Sequence, residues 1–256
     1  MSATGFFARD GALYVPLEPT HGYWKHDSLH GRAIVGLIGY EMERVHGADG
    51  LVPVRYNVDM HKLARFAPVA IETRVIRDSA RLRLVEAVML LDGVEHARAQ
   101  CQFLRAAEAP PGRVWAPAPW DAPPPDALTP LPVGKLPRLF DWIPISGKLG
   151  HYAPRQMWMR EHYDLVEGEP LTPWSRVTLA ADFASPWTHG GDAGIRYINT
   201  DVVVQVHRMP VGEWIGFEAS GHEASQAIAV GQCRIYDVEG PLGYVFCTAL
   251  ANERRA

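Results

Sequence analysis

The stretch Trp174-Ser-Arg-Val-Thr-Leu-Ala-Ala-Asp-Phe-Ala-Ser-Pro186 decides how the rest of the chain is read. Thr172-Pro173 in front of it supplies an N-cap and a first-turn proline, where a missing N–H costs nothing, and Ser185-Pro186 supplies a stop. The spacing predicts a helix from Pro173 to Ala184, about three turns. It is apolar nearly all round, so protein must surround it. One carboxylate, Asp182, sits among Leu179, Ala180, Ala181 and Phe183. Ionising an acid in such a helix costs desolvation unless partners compensate. Either Asp182 carries chemistry or it turns to water or caps a neighbouring loop at the helix end.

Towards the N-terminus, Ala12 to Leu17 reads as a strand and Pro19-Thr-His-Gly-Tyr-Trp24 as an aromatic loop. A second apolar helix follows from His30 to Val45, capped by Asp27 or Ser28 and ended by Gly47. Gly31, Gly36 and Gly39 lower its helix propensity, which points to close approach by a neighbouring sheet or ligand.

Strand-like segments come next at Val54–Leu63, Val69–Arg77, Arg81–Leu91 and His96–Leu104, with Asp92-Gly93 a hairpin turn. From Ala109 to Pro137, ten of 29 residues are proline, which describes a stiff linker pinned by Trp115 and Trp120. After it the first pattern returns: a strand at Met157–Val166, the Asp182 helix, then strands at Tyr197–His207, Glu213–Ala219, Ala227–Tyr236 and Tyr244–Ala249. Arg65 precedes Asp92 by 27 residues, and Arg208 precedes Asp237 by 29. This is a tandem repeat of strand, buried helix and four antiparallel strands. Each apolar sheet face needs a cover and each apolar helix a sleeve. The expected fold is therefore α+β, a double hot-dog in which each curved sheet wraps a central helix. The expected units are 1–108 and 138–256, joined by the linker 109–137.

With 256 residues, 47% of them hydrophobic, the chain can bury a sizeable core. A formal charge of -4, from 25 basic and 29 acidic residues spread along the chain, leaves no basic patch for nucleic acid or acidic lipid. Cys101, Cys233 and Cys247 lack metal-ligand spacing and read as buried thiols in a reducing compartment. Without a signal-like N-terminus or a long apolar run, the expectation is a soluble, cytoplasmic protein with no membrane insertion.

Several segments together resemble one family. Trp24…His30-Gly31, Val75-Ile-Arg-Asp-Ser-Ala-Arg81, Val166-Glu-Gly-Glu169, Ala180-Ala-Asp-Phe-Ala-Ser185, Ile198-Asn-Thr-Asp201 and Arg208-Met-Pro-Val-Gly-Glu-Trp214 look like the double-hot-dog acyl-CoA thioesterases of the thioesterase II-like branch. The resemblance implies hydrolysis of a fatty acyl-CoA, without metal or organic cofactor. It implies an Asp on the second helix, a Thr or Ser on a following strand and a Gln on the last strand, together holding a water. Asp182 matches the Asp. In the alignment His222 falls at or near the Thr position, beside Ser220 and Ser225. Phe246-Cys-Thr-Ala-Leu-Ala-Asn252 carries no Gln; Thr248 aligns there, or Leu250 in a shifted register.

The expected catalytic residues are thus Asp182, His222 and Thr248. His222 would take the proton while Asp182 fixes its tautomer, or else is a solvent-facing loop histidine. His30 and Gly31, at the start of the first helix, and Trp187 and His189, after the second, are expected to bind substrate. His189-Gly-Gly-Asp192 reads equally as a plain turn. Three functions fit the fold: an acyl-CoA thioesterase using an Asp-activated water, a non-catalytic acyl-CoA or lipid binder, and a hot-dog hydratase or dehydratase. A homo-oligomer is expected, because exposed sheet edges need cover.

Overall fold

The two halves of the chain fold alike because each carries an apolar helical segment, broken into two helices in the second half, and four alternating strands. The computed structural model describes residues 4–129 and 139–252. Residues 130–137 of the expected linker lie outside the described residues, as do 1–3, 138 and 253–256 of the expected units. In the first half come β1 (Gly5–Asp10), β2 (Leu13–Pro16), α1 (Gly31–His46), β3 (Leu51–Met60), β4 (Val69–Asp78), β5 (Leu82–Leu91) and β6 (Val94–Arg105). The second half has β7 (Phe140–Ser146), β8 (Gln156–Glu161), β9 (Asp164–Val166), α2 (Pro173–Ala181) and α3 (Ala184–His189). It continues with a small hairpin of β10 (Gly190–Gly191) and β11 (Gly194–Ile195), then β12 (Tyr197–Asn199), β13 (Asp201–Val206), β14 (Ile215–Ser225), β15 (Ile228–Asp237) and β16 (Gly240–Ala251).

All strands except that hairpin form one sheet, in the order β7-β8-β14-β15-β16-β13-β3-β6-β5-β4-β2-β1-β9, with β12 on β16. The halves meet edge to edge where β13 runs antiparallel to β3, from Asp201 opposite Asp59 to Gln205 opposite Arg55. Outward from that seam the order is the same in both: β3-β6-β5-β4 and β13-β16-β15-β14. This is the double hot-dog. The arginine–aspartate spacings that marked the repeat are ion pairs in both halves: Arg65 with Asp92, and Arg208 with Asp237 through two bonds of 2.5 and 2.6 Å.

The single strand expected at 157–166 is two. β8 pairs with β14, whereas β9 crosses to the first half and runs parallel to β1, Phe7 opposite Val166. One hydrophobic core, from Phe6 to Cys247, spans both halves. The three cysteines are free and buried. Trp120 anchors the proline-rich segment, stacking on Tyr236 at 4.2 Å and meeting Trp158 edge-on at 5.3 Å. Trp158 Nε1 donates to the Pro123 carbonyl at 2.9 Å. Trp115, also expected to pin the segment, is 85% exposed and does not.

The helices α1 and α2 lie side by side and antiparallel. The glycines of α1 allow this: a Cβ on Gly36 would stand 3.2 Å from the Leu179 Cα, and one on Gly39 would stand 2.6 Å from the Thr178 Cγ2. Trp174 Nε1 donates to the Gly39 carbonyl, and the Thr172 hydroxyl to Glu43. The close neighbours are thus the second helix and, at Gly36, also strand β9, where a Cβ would stand 3.0 Å from the Leu165 Cδ1. Among the described residues no helix is long and apolar enough to cross a membrane.

Candidate active site

Pro186 determines where Asp182 sits. Proline has no N–H for the carbonyl four residues earlier, and its ring crowds that carbonyl. The residue four positions before Pro186 is Asp182, and α2 ends just ahead of it, at Ala181. The Asp182 carbonyl accepts instead from the Ser185 N–H at 3.2 Å. Pro186 itself lies in the first turn of α3, where its missing N–H has no intrahelical role. The stop expected at Ser185-Pro186 therefore acts one turn earlier, and the chain continues into a second short helix. At the other end, Thr172 caps α2 as predicted, its Oγ1 accepting from the Ser175 N–H at 3.0 Å.

That break sets the Asp182 side chain against the start of α1. A Cβ on Gly31 would lie 2.8 Å from the Asp182 Oδ2, so no larger residue fits there unmoved. The N-cap of α1 is His30, not Asp27 or Ser28: its Nδ1 accepts from the Arg32 N–H at 3.2 Å. Burial and the Arg32 charge push the His30 imidazole down to about 3, so it is neutral at pH 7. Asn199, on β12, donates through Nδ2 to the Asp182 Oδ1 at 2.8 Å. Asp182 is only 6% exposed. Burial raises its carboxyl above the ordinary range, and the Asn199 hydrogen bond and the Arg32 charge oppose that rise.

Asp182, Asn199, His30 and Gly31 share the wall of a cavity of about 490 Å³. Its remaining lining is largely apolar and aromatic, including Trp24, Ile34, Phe140, Phe183 and Tyr197, with His61, Lys62 and His96 as further polar groups. A largely apolar pocket holding one carboxylate with one amide fixed on it suits the handling of a proton on a largely apolar substrate. Among the described residues no group of three or more His, Cys, Asp or Glu could hold a metal ion.

Residues 110–246 match the family model described as the acyl-CoA thioesterase C-terminal domain. The chain belongs to the acyl-CoA thioesterase family. It is therefore a thioester hydrolase by membership. Solved structures share the fold over nearly the whole chain. The tesB protein of Mycobacterium avium subs paratuberculosis is 17% identical with a TM-score of 0.73, covering 96% of each chain. A protein of unknown function with a hot dog fold from Alicyclobacillus acidocaldarius is 16% identical with a TM-score of 0.75, covering 98% of this chain and 97% of that one. Acyl-CoA thioesterase II TesB2 of Mycobacterium marinum is 14% identical with a TM-score of 0.65, covering 96% and 93%. No curated protein matches the sequence.

In this thioesterase the cavity brings together three of the expected site residues, Asp182, His30 and Gly31, and with them Leu250, the residue that the shifted register put at the Gln position. The other four lie outside its wall. His222 pairs with His189, Nδ1 to Nδ1 at 3.0 Å, and is exposed on β14. His189 is buried, and desolvation first, then His222, push its imidazole down to about 4. Trp187 is fully buried against Trp142 and Phe183, with ring centroids 5.7 and 6.1 Å away. Thr248 is an exposed residue of β16, whose N–H donates to Asp201. Strand alternation buries its neighbour Cys247, whose thiol is pushed up first by burial and then by the Asp182 charge. Asn199 received no role from sequence, although Ile198-Asn-Thr-Asp201 was one of the segments in the resemblance. A polar residue ending a short strand just after the helix was the available signal.

Proposed function

We propose that the protein hydrolyses a fatty or related acyl-CoA to the free acid and CoA, with Asp182 activating the attacking water. The observation that carries this reading is the Asp182–Asn199 hydrogen bond inside an apolar cavity. Asn199 occupies one carboxylate oxygen and leaves Oδ2, beside Gly31, as the proton acceptor. The water oxygen attacks the thioester carbon while Asp182 takes its proton. Gly31, first in α1, has an N–H that the helix cannot satisfy, and this donor with the positive helix end stabilises the oxyanion. Collapse of the tetrahedral intermediate breaks the C–S bond, and the CoA thiolate leaves with the proton that Asp182 held. The scheme calls on no metal or organic cofactor.

The test follows free CoA with a thiol reagent across short, medium, long and aromatic acyl-CoAs, for wild type and Asp182→Asn. Release by wild type and a loss of roughly 10²–10⁴-fold in the variant support the reading. Equal rates defeat water activation by Asp182. Saturable uptake without release would make the protein a binder.

A further inference from the structure

In the wall of the cavity that holds Asp182 the fold buries a cation. Arg32, second in α1, is 2% exposed. Its Nη2 donates to the Glu161 Oε1 on β8, and its Cζ lies 4.5 Å from the Phe140 ring centroid. The pair meets end-on: among the described residues Arg32 Nε and Nη1 and Glu161 Oε2 have no hydrogen-bond partner. A pair kept for stability would close as a two-bond fork, and apolar replacements of buried pairs are often neutral or stabilising. Burying two ions with three of their five side-chain nitrogen and oxygen atoms unmatched calls for another reason.

The reason lies in what surrounds the carboxylate. From α1 come His30 and Arg32, from β12 Tyr197 and Asn199, and from β16 Cys247; His61, Lys62 and His96 line the same cavity. Burial holds His30 as neutral imidazole and Cys247 as neutral thiol at pH 7. Among the groups packed against Asp182, Arg32 brings the lasting positive charge. An acyl chain entering the cavity displaces water and makes an ionised carboxylate harder to sustain.

We propose that Arg32 is a positioning residue: clamped between Glu161 and Phe140, it sets its guanidinium charge in the cavity wall that it shares with Asp182 and keeps that carboxylate ready to accept a proton when substrate dries the cavity. The inference rests on Asp182 acting as the base. Its electrostatic direction agrees, since the Arg32 charge opposes the rise that burial imposes on Asp182. Glu161, itself pushed up by burial, holds the guanidinium in place and shares its charge.

Carbon-13 NMR titration of the Asp182 carboxyl, assigned by its loss in Asp182→Asn, tests this without relying on turnover. The variants are Arg32→Lys, Glu161→Gln and the double Arg32→Met/Glu161→Met, which leaves no orphaned charge. The Asp182 midpoint should rise in the double variant and stay near wild type in Arg32→Lys. It should fall in Glu161→Gln, where Asp182 feels the whole guanidinium charge. The acid limb of kcat/KM should move the same way. Opposite shifts in Glu161→Gln and the double variant are not expected of a merely structural pair, and either shift can be read if the other variant fails to fold. An unmoved midpoint in whichever of these two variants folds overturns the proposal. A wild type that binds acyl-CoA without releasing CoA would defeat the hydrolytic reading while leaving these titrations readable.

Discussion

Asn199 donates to Asp182 across 2.8 Å, joining the short strand β12, which pairs with β16, to the break after α2. The bond occupies Oδ1 and fixes the carboxylate plane, so Oδ2 is left beside Gly31. Asn199→Ala should lower kcat/KM roughly ten- to hundredfold, the worth of a hydrogen bond to a charged group. Because that bond lowers the carboxyl's pKa, its loss should also move the acid limb of the pH profile upwards. A pH series of initial rates checks both effects.

Asp182 also leaves a mark on stability. Its folded carboxyl is raised above the unfolded value, so its contribution to stability is intact at pH below the unfolded value and is lost as pH rises through the folded one. Asp182→Asn removes the titrating group. The melting temperature of the variant should exceed that of wild type at neutral pH, and the gap should close on acidification. Thermal scans at several pH values measure it.

Gly31→Ala should separate chemistry from folding. Its Cβ would meet the Asp182 Oδ2 at 2.8 Å, and a displaced base costs roughly 10²-fold in rate. Gly39→Ala, two turns further along the same face, meets Thr178 at 2.6 Å and should instead cost stability, roughly 1–3 kcal/mol of overpacking. Paired rate and denaturation measurements on the two variants distinguish the roles.

The residues outside the cavity should behave differently again. His222→Ala, on an exposed strand segment, should leave kcat/KM within about twofold of wild type. Trp187→Ala should destabilise the core by roughly 3–5 kcal/mol, because it deletes a fully buried indole. Steady-state kinetics for the first and urea denaturation for the second check these outcomes.

Most of the architecture is legible in the sequence because hydrophobic periodicity and matched landmarks are local signals. Arg65 with Asp92 and Arg208 with Asp237 mark the repeat at matched spacings in the sequence, and both are ion pairs. Thr172-Pro173 marks the helix start for the same reason. What stays hidden depends on distant partners. The crossing of β9 to β1 joins Val166 to Phe7, a pairing that neither segment specifies alone. The Asp182 position follows from a residue four further on, and its partner Asn199 from a strand 17 residues away. The exposure of Thr248 follows from β16 register, where one step exchanges it for Cys247.

The most direct measurement is a single turnover in heavy-oxygen water, with enzyme in excess over an acyl-CoA that it hydrolyses and both products examined by mass spectrometry. If Asp182 activates water for direct attack, the heavy oxygen appears in the released fatty acid and none enters the peptide carrying Asp182. Label in the Asp182 carboxyl, with unlabelled acid released, would mean that the carboxylate attacks the thioester itself, and would contradict the mechanism.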